Sequence, residues 1–219
     1  MIIIGTKILI LTTLIVAIVY RKKYIDTPFR LMIYFLLAAL ATESVPRLIN
    51  DLVGPIGANW LAMFNFGIHI QMAILLTMYS QLIFENKLKL ISRLFVVIFV
   101  LFSIYNHFYL QNFFEEVSTY DFALWTIFMV LNIVFYFKEV LDSELILHLA
   151  HSLSFYICLG MLLYSVAFLP NIFEHNLPDI PKDKINFIRF LLNIMVYSLF
   201  VIGFIWSKPQ YNLPKKPLN

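Results

Sequence analysis

Apolar residues run along this chain in seven long stretches, separated by short polar breaks. The stretches are Ile2–Tyr20, Pro28–Val53, Ala58–Phe84, Leu88–Tyr109, Tyr120–Val140, Leu145–Phe173 and Ile185–Ser207. Each approaches or exceeds the ~20 residues that a helix needs to cross the hydrocarbon core of a bilayer. The pattern predicts an all-α, polytopic integral membrane protein, a seven-transmembrane-helix bundle forming a single domain over residues 1–207. The connections are too short for a second domain. The tail over residues 208–219, with its prolines and lysines, reads as a flexible solvated end.

Composition agrees with this pattern. Of 219 residues, 61% are hydrophobic and 13% charged, whereas a soluble domain averages roughly half apolar and about a quarter charged. The lysines and arginines lie between apolar runs rather than in a patch, so nucleic acid is not an expected partner. The single cysteine, Cys158, falls inside a stretch and excludes an intramolecular disulfide. A cleavable leader carries its positive charges ahead of the apolar run. Here Arg21, Lys22 and Lys23 follow it, so the first stretch is expected to be a retained span.

Basic residues also set the expected orientation, because short cytoplasmic loops are enriched in lysine and arginine. With the N-terminus outside, the inner side holds Arg21, Lys22, Lys23, Arg30, Lys87, Lys89, Arg93, Lys138, Lys208, Lys215 and Lys216. Only Lys7, Arg47, Lys182, Lys184 and Arg189 lie elsewhere. The C-terminus is therefore expected in the cytoplasm. Trp60, Trp125 and Trp206, with Tyr20, Tyr109 and Tyr120, fall near stretch ends as interfacial anchors do. The first three and last three spans could form a pair of triplets joined by the fourth, with Pro46 and Pro170 in matching places.

Ionisable and amide side chains inside membrane helices are costly and face a protein interior or a water-filled cavity. Glu43 and Arg47 are one turn apart, with Pro46 between them and Asn50 beyond. Asn65 and His69 repeat that spacing on the third span, and Arg189 and Asn193 on the seventh. Asn106, His107 and Asp121 fall near the outer span ends. In the expected orientation these groups gather in the outer leaflet as a polar cup. Two readings compete. In one the groups satisfy each other: Glu43 pairs with Arg47, Asn65 and Asn193 bond across helices, and the arginines reach outward. In the other, Glu43, Arg47, Asn65, His69, Arg189 and Asn193 line a ligand pocket.

A second group, Glu144, His148 and His151, shares one face at the inner end of the sixth stretch. It is a weak metal candidate, because most metal centres gather three or four convergent ligands. His175 lies in the last outer loop. Catalysis finds little support. There is no HExxH or GxSxG, and the six glycines are scattered. The seventh stretch has no mid-helix lysine for a Schiff base, and the histidines divide between the leaflets: His69 and His107 outward, His148 and His151 inward. Neither an enzymatic activity nor a cofactor is expected.

Three features bear on kinship. They are Leu40-Ala41-Thr42-Glu43 on the second span, Asn59-Trp60-Leu61-Ala62-Met63-Phe64-Asn65 opening the third, and the pairing of Leu153–Tyr164 with Phe190–Tyr197. Through these the chain resembles an uncharacterised group of small bacterial seven-helix membrane proteins, similar to the membrane-sensor part of some receptor histidine kinases. The resemblance implies a bacterial cytoplasmic (inner) membrane and a sensor role. No kinase or other output domain follows the seventh stretch in this sequence, so a signal is expected to pass to a separate cytoplasmic partner. The other expected partners are the lipid bilayer and further copies of the chain in a homo-oligomer. A transporter or oligomeric pore is the alternative reading, and an intramembrane metal-dependent enzyme the third.

Overall fold

The computed structural model describes residues 2–54, 59–172 and 182–212, with side chains left out at 2, 3, 53, 166–172 and 182–186. His175 and Lys215–Lys216 lie outside the described residues, as do the side chains of Pro170, Lys182 and Lys184. Seven α-helices occur among the described residues: α1 (Ile2–Val19), α2 (Leu31–Val53), α3 (Asn59–Leu82), α4 (Asn86–Tyr109), α5 (Thr119–Leu141), α6 (Leu153–Ile172) and α7 (Lys182–Trp206).

Local chemistry explains several of their ends. Thr27 accepts the backbone N–H of Phe29 at 3.3 Å with Pro28 next in line, and this tight turn leads into α2. Gly54 closes α2 at φ 98°, a conformation that costs a glycine nothing. Both Glu139 carboxylate oxygens accept the N–H of Phe84 at 2.9 Å, and one accepts Glu85 N–H at 2.7 Å, which fixes the α3–α4 turn. Lys23 donates to the carbonyls of Ile205 (2.6 Å) and Phe204 (3.4 Å) at the end of α7, where free carbonyls favour a cation.

Among the described residues, five helices are long and apolar enough to cross a membrane: Pro28–Leu52, Asn59–Leu82, Asn86–Tyr109, Thr119–Leu141 and Phe187–Trp206. This apolar helical bundle is the build of an integral membrane protein. The seven expected spans thus divide into five clear ones and two others. α1 has 18 residues, a length of about 27 Å against a core of about 30 Å. The sixth stretch is broken. Glu144–His151 is 3-10 helical and bends by 75° from the helix starting at Leu153. At the break Ser152 is extended (φ −99°, ψ 128°). The backbone groups released there are taken up by the chain end: Asn212 Oδ1 accepts Leu153 N–H at 3.0 Å, and the His151 carbonyl accepts Lys208 N–H at 2.9 Å. Lys208–Asn212, expected as the start of a flexible tail, is therefore docked. Asn212 is fully buried and also donates to the Lys23 carbonyl at 2.9 Å.

The helices pack in sequence: α1 on α2, α2 on α3, α5 on α6, α6 on α7, and α7 back on α1. Packing of α3 on α5 completes a ring, and α4 rests outside it against α3 and α5. α4 is inverted relative to a helix of a soluble protein. Its buried residues are Ser92, Phe99, Ser103 and Asn106, while Leu90, Leu94, Val97, Leu101, Ile104 and Phe108 are exposed. Small and polar residues on the packed face, with aliphatic ones outward, suit a lipid surround. Ser92 accordingly donates to Asn132 of α5 at 2.6 Å. Between α2 and α3 the backbones come close at Gly67. Thr42 lies over it and accepts a hydrogen bond from Gln71 at 2.9 Å.

Candidate functional site

The ring encloses a cavity of about 400 Å³. It lies in the half of the bundle nearer the α4–α5 loop, and α4 contributes nothing to its lining. Most of the wall is apolar, from residues such as Ile10, Phe35, Met72, Trp125 and Phe200. Set into it are Glu43 of α2, Asn65 and Gln71 of α3, Tyr164 of α6, and Arg189, Asn193 and Tyr197 of α7. Lys7 of α1 is within electrostatic reach of Glu43, as are Tyr164 and Tyr197, and Arg189 is within reach of Tyr164. The cavity thus offers a carboxylate, a guanidinium, amides and phenols inside an otherwise greasy chamber. Few polar groups converging in an apolar concavity are the usual form of a small-molecule site.

Four of the six residues expected in a pocket line this cavity: Glu43, Asn65, Arg189 and Asn193. Two do not. Arg47 is well exposed and lies 4.0 Å from Asp51, its own i+4 neighbour. The expected Glu43–Arg47 pair is therefore not formed: one turn of helix carries Glu43 into the ring and Arg47 to its outside. Nor does Asn65 bond across to Asn193. Its Nδ2 donates to the carbonyls of Phe113 (2.9 Å) and Glu116 (2.8 Å), and its Oδ1 accepts Ser118 N–H at 3.4 Å. One buried amide thereby holds the α4–α5 loop, whose residues Val117–Thr119 form part of the cavity wall.

His69 faces the other side of α3, towards α4 and α5. Its Nε2 is 2.9 Å from Asp121 Oδ2 and 3.2 Å from His107 Nε2, and His107 Nε2 is 3.4 Å from the same Asp121 oxygen. Asn106 Nδ2 donates to Asp121 Oδ2 at 2.8 Å. The Asp121 side chain is fully buried, and the two imidazoles are 16% exposed. Among the described residues this is the only group of three or more His, Cys, Asp or Glu side chains whose ligand atoms converge, all within 4.8 Å. His69 and His107 lie towards one end of the bundle and His148 and His151 at the other, and the first two meet an acid in one place. His107 and Asp121 flank a short loop between helices, so both reach the end of the bundle where His69 lies.

Glu144, His148 and His151 do not gather. They fall in the 3-10 segment, His148 takes a non-helical conformation (φ −126°, ψ 19°), and no common helix face exists. The Tyr211 ring instead stacks on His148 at 4.2 Å and lies 6.5 Å from His151. On the same side of the bundle, below the cavity, buried hydroxyls close on each other. Tyr79 OH donates to Cys158 Sγ at 3.4 Å, Tyr136 OH to Ser154 Oγ, and Ser152 bonds Ser154.

No family model matches the chain, and no curated protein and no solved structure matches it.

Proposed function

We propose that this chain is a non-enzymatic membrane receptor-like module. Its central cavity binds a small amphipathic molecule from the outer face, and its basic loops engage a separate cytoplasmic partner. The observation that carries the reading is the cavity itself, with Glu43, Arg189 and Asn193 converging from two helices in an apolar chamber. An apolar body would take the Phe35, Met72 and Phe200 walls, and a head group with donor and acceptor would meet the carboxylate and guanidinium. The hydroxyl groups beneath the cavity are bonded to one another, which favours binding over passage.

The test is a thermal-shift screen of the purified full chain in nanodiscs against amphipathic molecules with anionic, cationic and zwitterionic heads. A hit is expected to bind about 10-fold or more weakly to Glu43→Gln and to Asn193→Ala, since a hydrogen bond to a charged group contributes about 1.5–3 kcal/mol. Affinity indifferent to both substitutions overturns the pocket. Flux into liposomes that is lost in Glu43→Gln replaces binding with transport.

Orientation has its own measurement. Cys158 is the sole cysteine and is fully buried, so an introduced cysteine reports without background. In intact cells a membrane-impermeant maleimide is expected to label Glu115→Cys and to spare Lys87→Cys, both exposed positions. The opposite labelling places the basic loops outside and ends the proposed cytoplasmic engagement.

A further inference from the structure

We infer that His69, His107 and Asp121 form a binding site for a divalent transition-metal ion, of which zinc is the natural probe. The first support is geometric. The three facing atoms are separated by 2.9, 3.2 and 3.4 Å. A tetrahedral zinc with ligand bonds of about 2.0–2.1 Å requires its ligand atoms to be about 3.3 Å apart. The triangle therefore has the size of one face of a zinc coordination shell, and two imidazoles with a carboxylate are ligands that this class of ion accepts.

The second support is the arrangement of protons. His69 Nδ1 lies 2.6 Å from the Asn65 carbonyl oxygen. A carbonyl only accepts, so Nδ1 carries the hydrogen and the neutral ring turns a lone pair on Nε2 towards Asp121 Oδ2. His107 Nε2 comes to the same place. With both rings neutral, a hydrogen on His107 Nε2 can reach the His69 lone pair at 3.2 Å or the Asp121 oxygen at 3.4 Å, but the 2.9 Å His69–Asp121 contact still sets acceptor against acceptor. A cation at the centre satisfies all three.

The third support is the surroundings. The carboxylate of Asp121 is fully buried, and its only ion-pair partners among the described residues are these two histidines. Its Oδ1 is buried without a hydrogen bond. Metal-ligating histidines are held by a second hydrogen bond to a carbonyl or carboxylate, and ligating carboxylates are themselves hydrogen-bonded. Each device is present once, on His69 and on Asp121. The Asn65 carbonyl fixes the His69 tautomer, and Asn106 holds Asp121 Oδ2. Asn106 is held in turn by Gln111 Oε1 at 3.1 Å, and Gln111 donates to Thr119 at 2.8 Å. The partial exposure of the two rings leaves a route for the ion and a place for water as a fourth ligand. An ion here would tie α3, α4 and α5 together at the loop that Asn65 anchors.

The experiment is zinc binding by the full chain in nanodiscs, stripped of metal beforehand and titrated in competition with a chromogenic chelator. One equivalent per chain is expected. His107→Ala and Asp121→Asn should each weaken binding by more than about 100-fold, and the positioning variant Asn106→Ala by about 10–100-fold. The double change His148→Ala/His151→Ala should leave affinity unchanged. X-ray absorption of the zinc-loaded chain should show imidazole nitrogen and oxygen neighbours at about 2.0–2.2 Å. Metal-free unfolding curves for each variant separate lost ligation from lost folding. A folded His107→Ala chain that keeps wild-type affinity overturns the site, as does a wild-type chain that binds no zinc at micromolar concentration. This test does not depend on whether the central cavity holds a ligand.

Discussion

Gly67→Ala is expected to destabilise the protein by about 1–3 kcal/mol, the usual cost of forcing a methyl into a filled interface. A Cβ built at Gly67 would stand 2.1 Å from Thr42 Oγ1 and 2.8 Å from Thr42 Cγ2, far inside van der Waals contact. Thr42 has little freedom to yield. Its hydroxyl donates to the Ala38 carbonyl at 2.7 Å and accepts from Gln71 at 2.9 Å, and a β-branched side chain on a helix has few rotamers. The added methyl must therefore push α2 from α3 or break both bonds. A thermal melt in detergent or nanodiscs measures the loss. Combining Gly67→Ala with Thr42→Ala should cost less than the two single changes together, because removing Oγ1 and Cγ2 clears the two closest contacts. Additive losses would mean that the two residues do not meet.

Most of the helices are legible in the sequence because hydropathy reports where a chain leaves water. The expected ends of the third, fourth and fifth spans fall within about two residues of α3, α4 and α5. What hydropathy misses is backbone supplied from elsewhere. Leu145–Phe173 reads as one run because all of it is apolar enough, yet it breaks at Ser152. The backbone group freed there is matched by Asn212, about sixty residues further along the chain, which accepts the N–H of Leu153. No local pattern announces that bond.

The site residues divide in the same way. Helical spacing places Glu43 and Arg47 on neighbouring turns, but a difference of one turn does not say which residue faces the ring. A separation of four positions amounts to about 400° of rotation, enough for the ring's edge to pass between the two side chains. Asn65, Arg189 and Asn193 line the cavity, each a polar residue on a helix of the ring. Gln71, Tyr164 and Tyr197 go unmarked, since tyrosine and glutamine near the middle of a span look like ordinary packing residues. The His69–His107–Asp121 group needs three helices brought to one point. The sequence supplies their common depth, but the packing of α4 against both α3 and α5 is what makes them converge.

Asn65→Ala carries the largest expected cost at a single amide, about 2–4 kcal/mol. The side chain is fully buried and meets three backbone groups of the α4–α5 loop: two carbonyls and one N–H. Leaving a buried group unmatched costs about 1–3 kcal/mol, and here the loop can recover part of the loss by turning its carbonyls to water. The damage is therefore expected to be local. Hydrogen exchange over residues 110–118 should quicken, while amides at the far end of the bundle, around Tyr79 and Tyr136, keep their protection. Asn65→Asp should do at least as much harm although the shape is kept, because a carboxylate oxygen would replace the amide that donates to Phe113 and Glu116, setting acceptor against acceptor. Since the loop forms part of the cavity wall, both variants should also weaken any ligand of the cavity. If Asn65→Asp exchanged no faster than the unaltered chain over 110–118, the amide would not be what holds the loop in place.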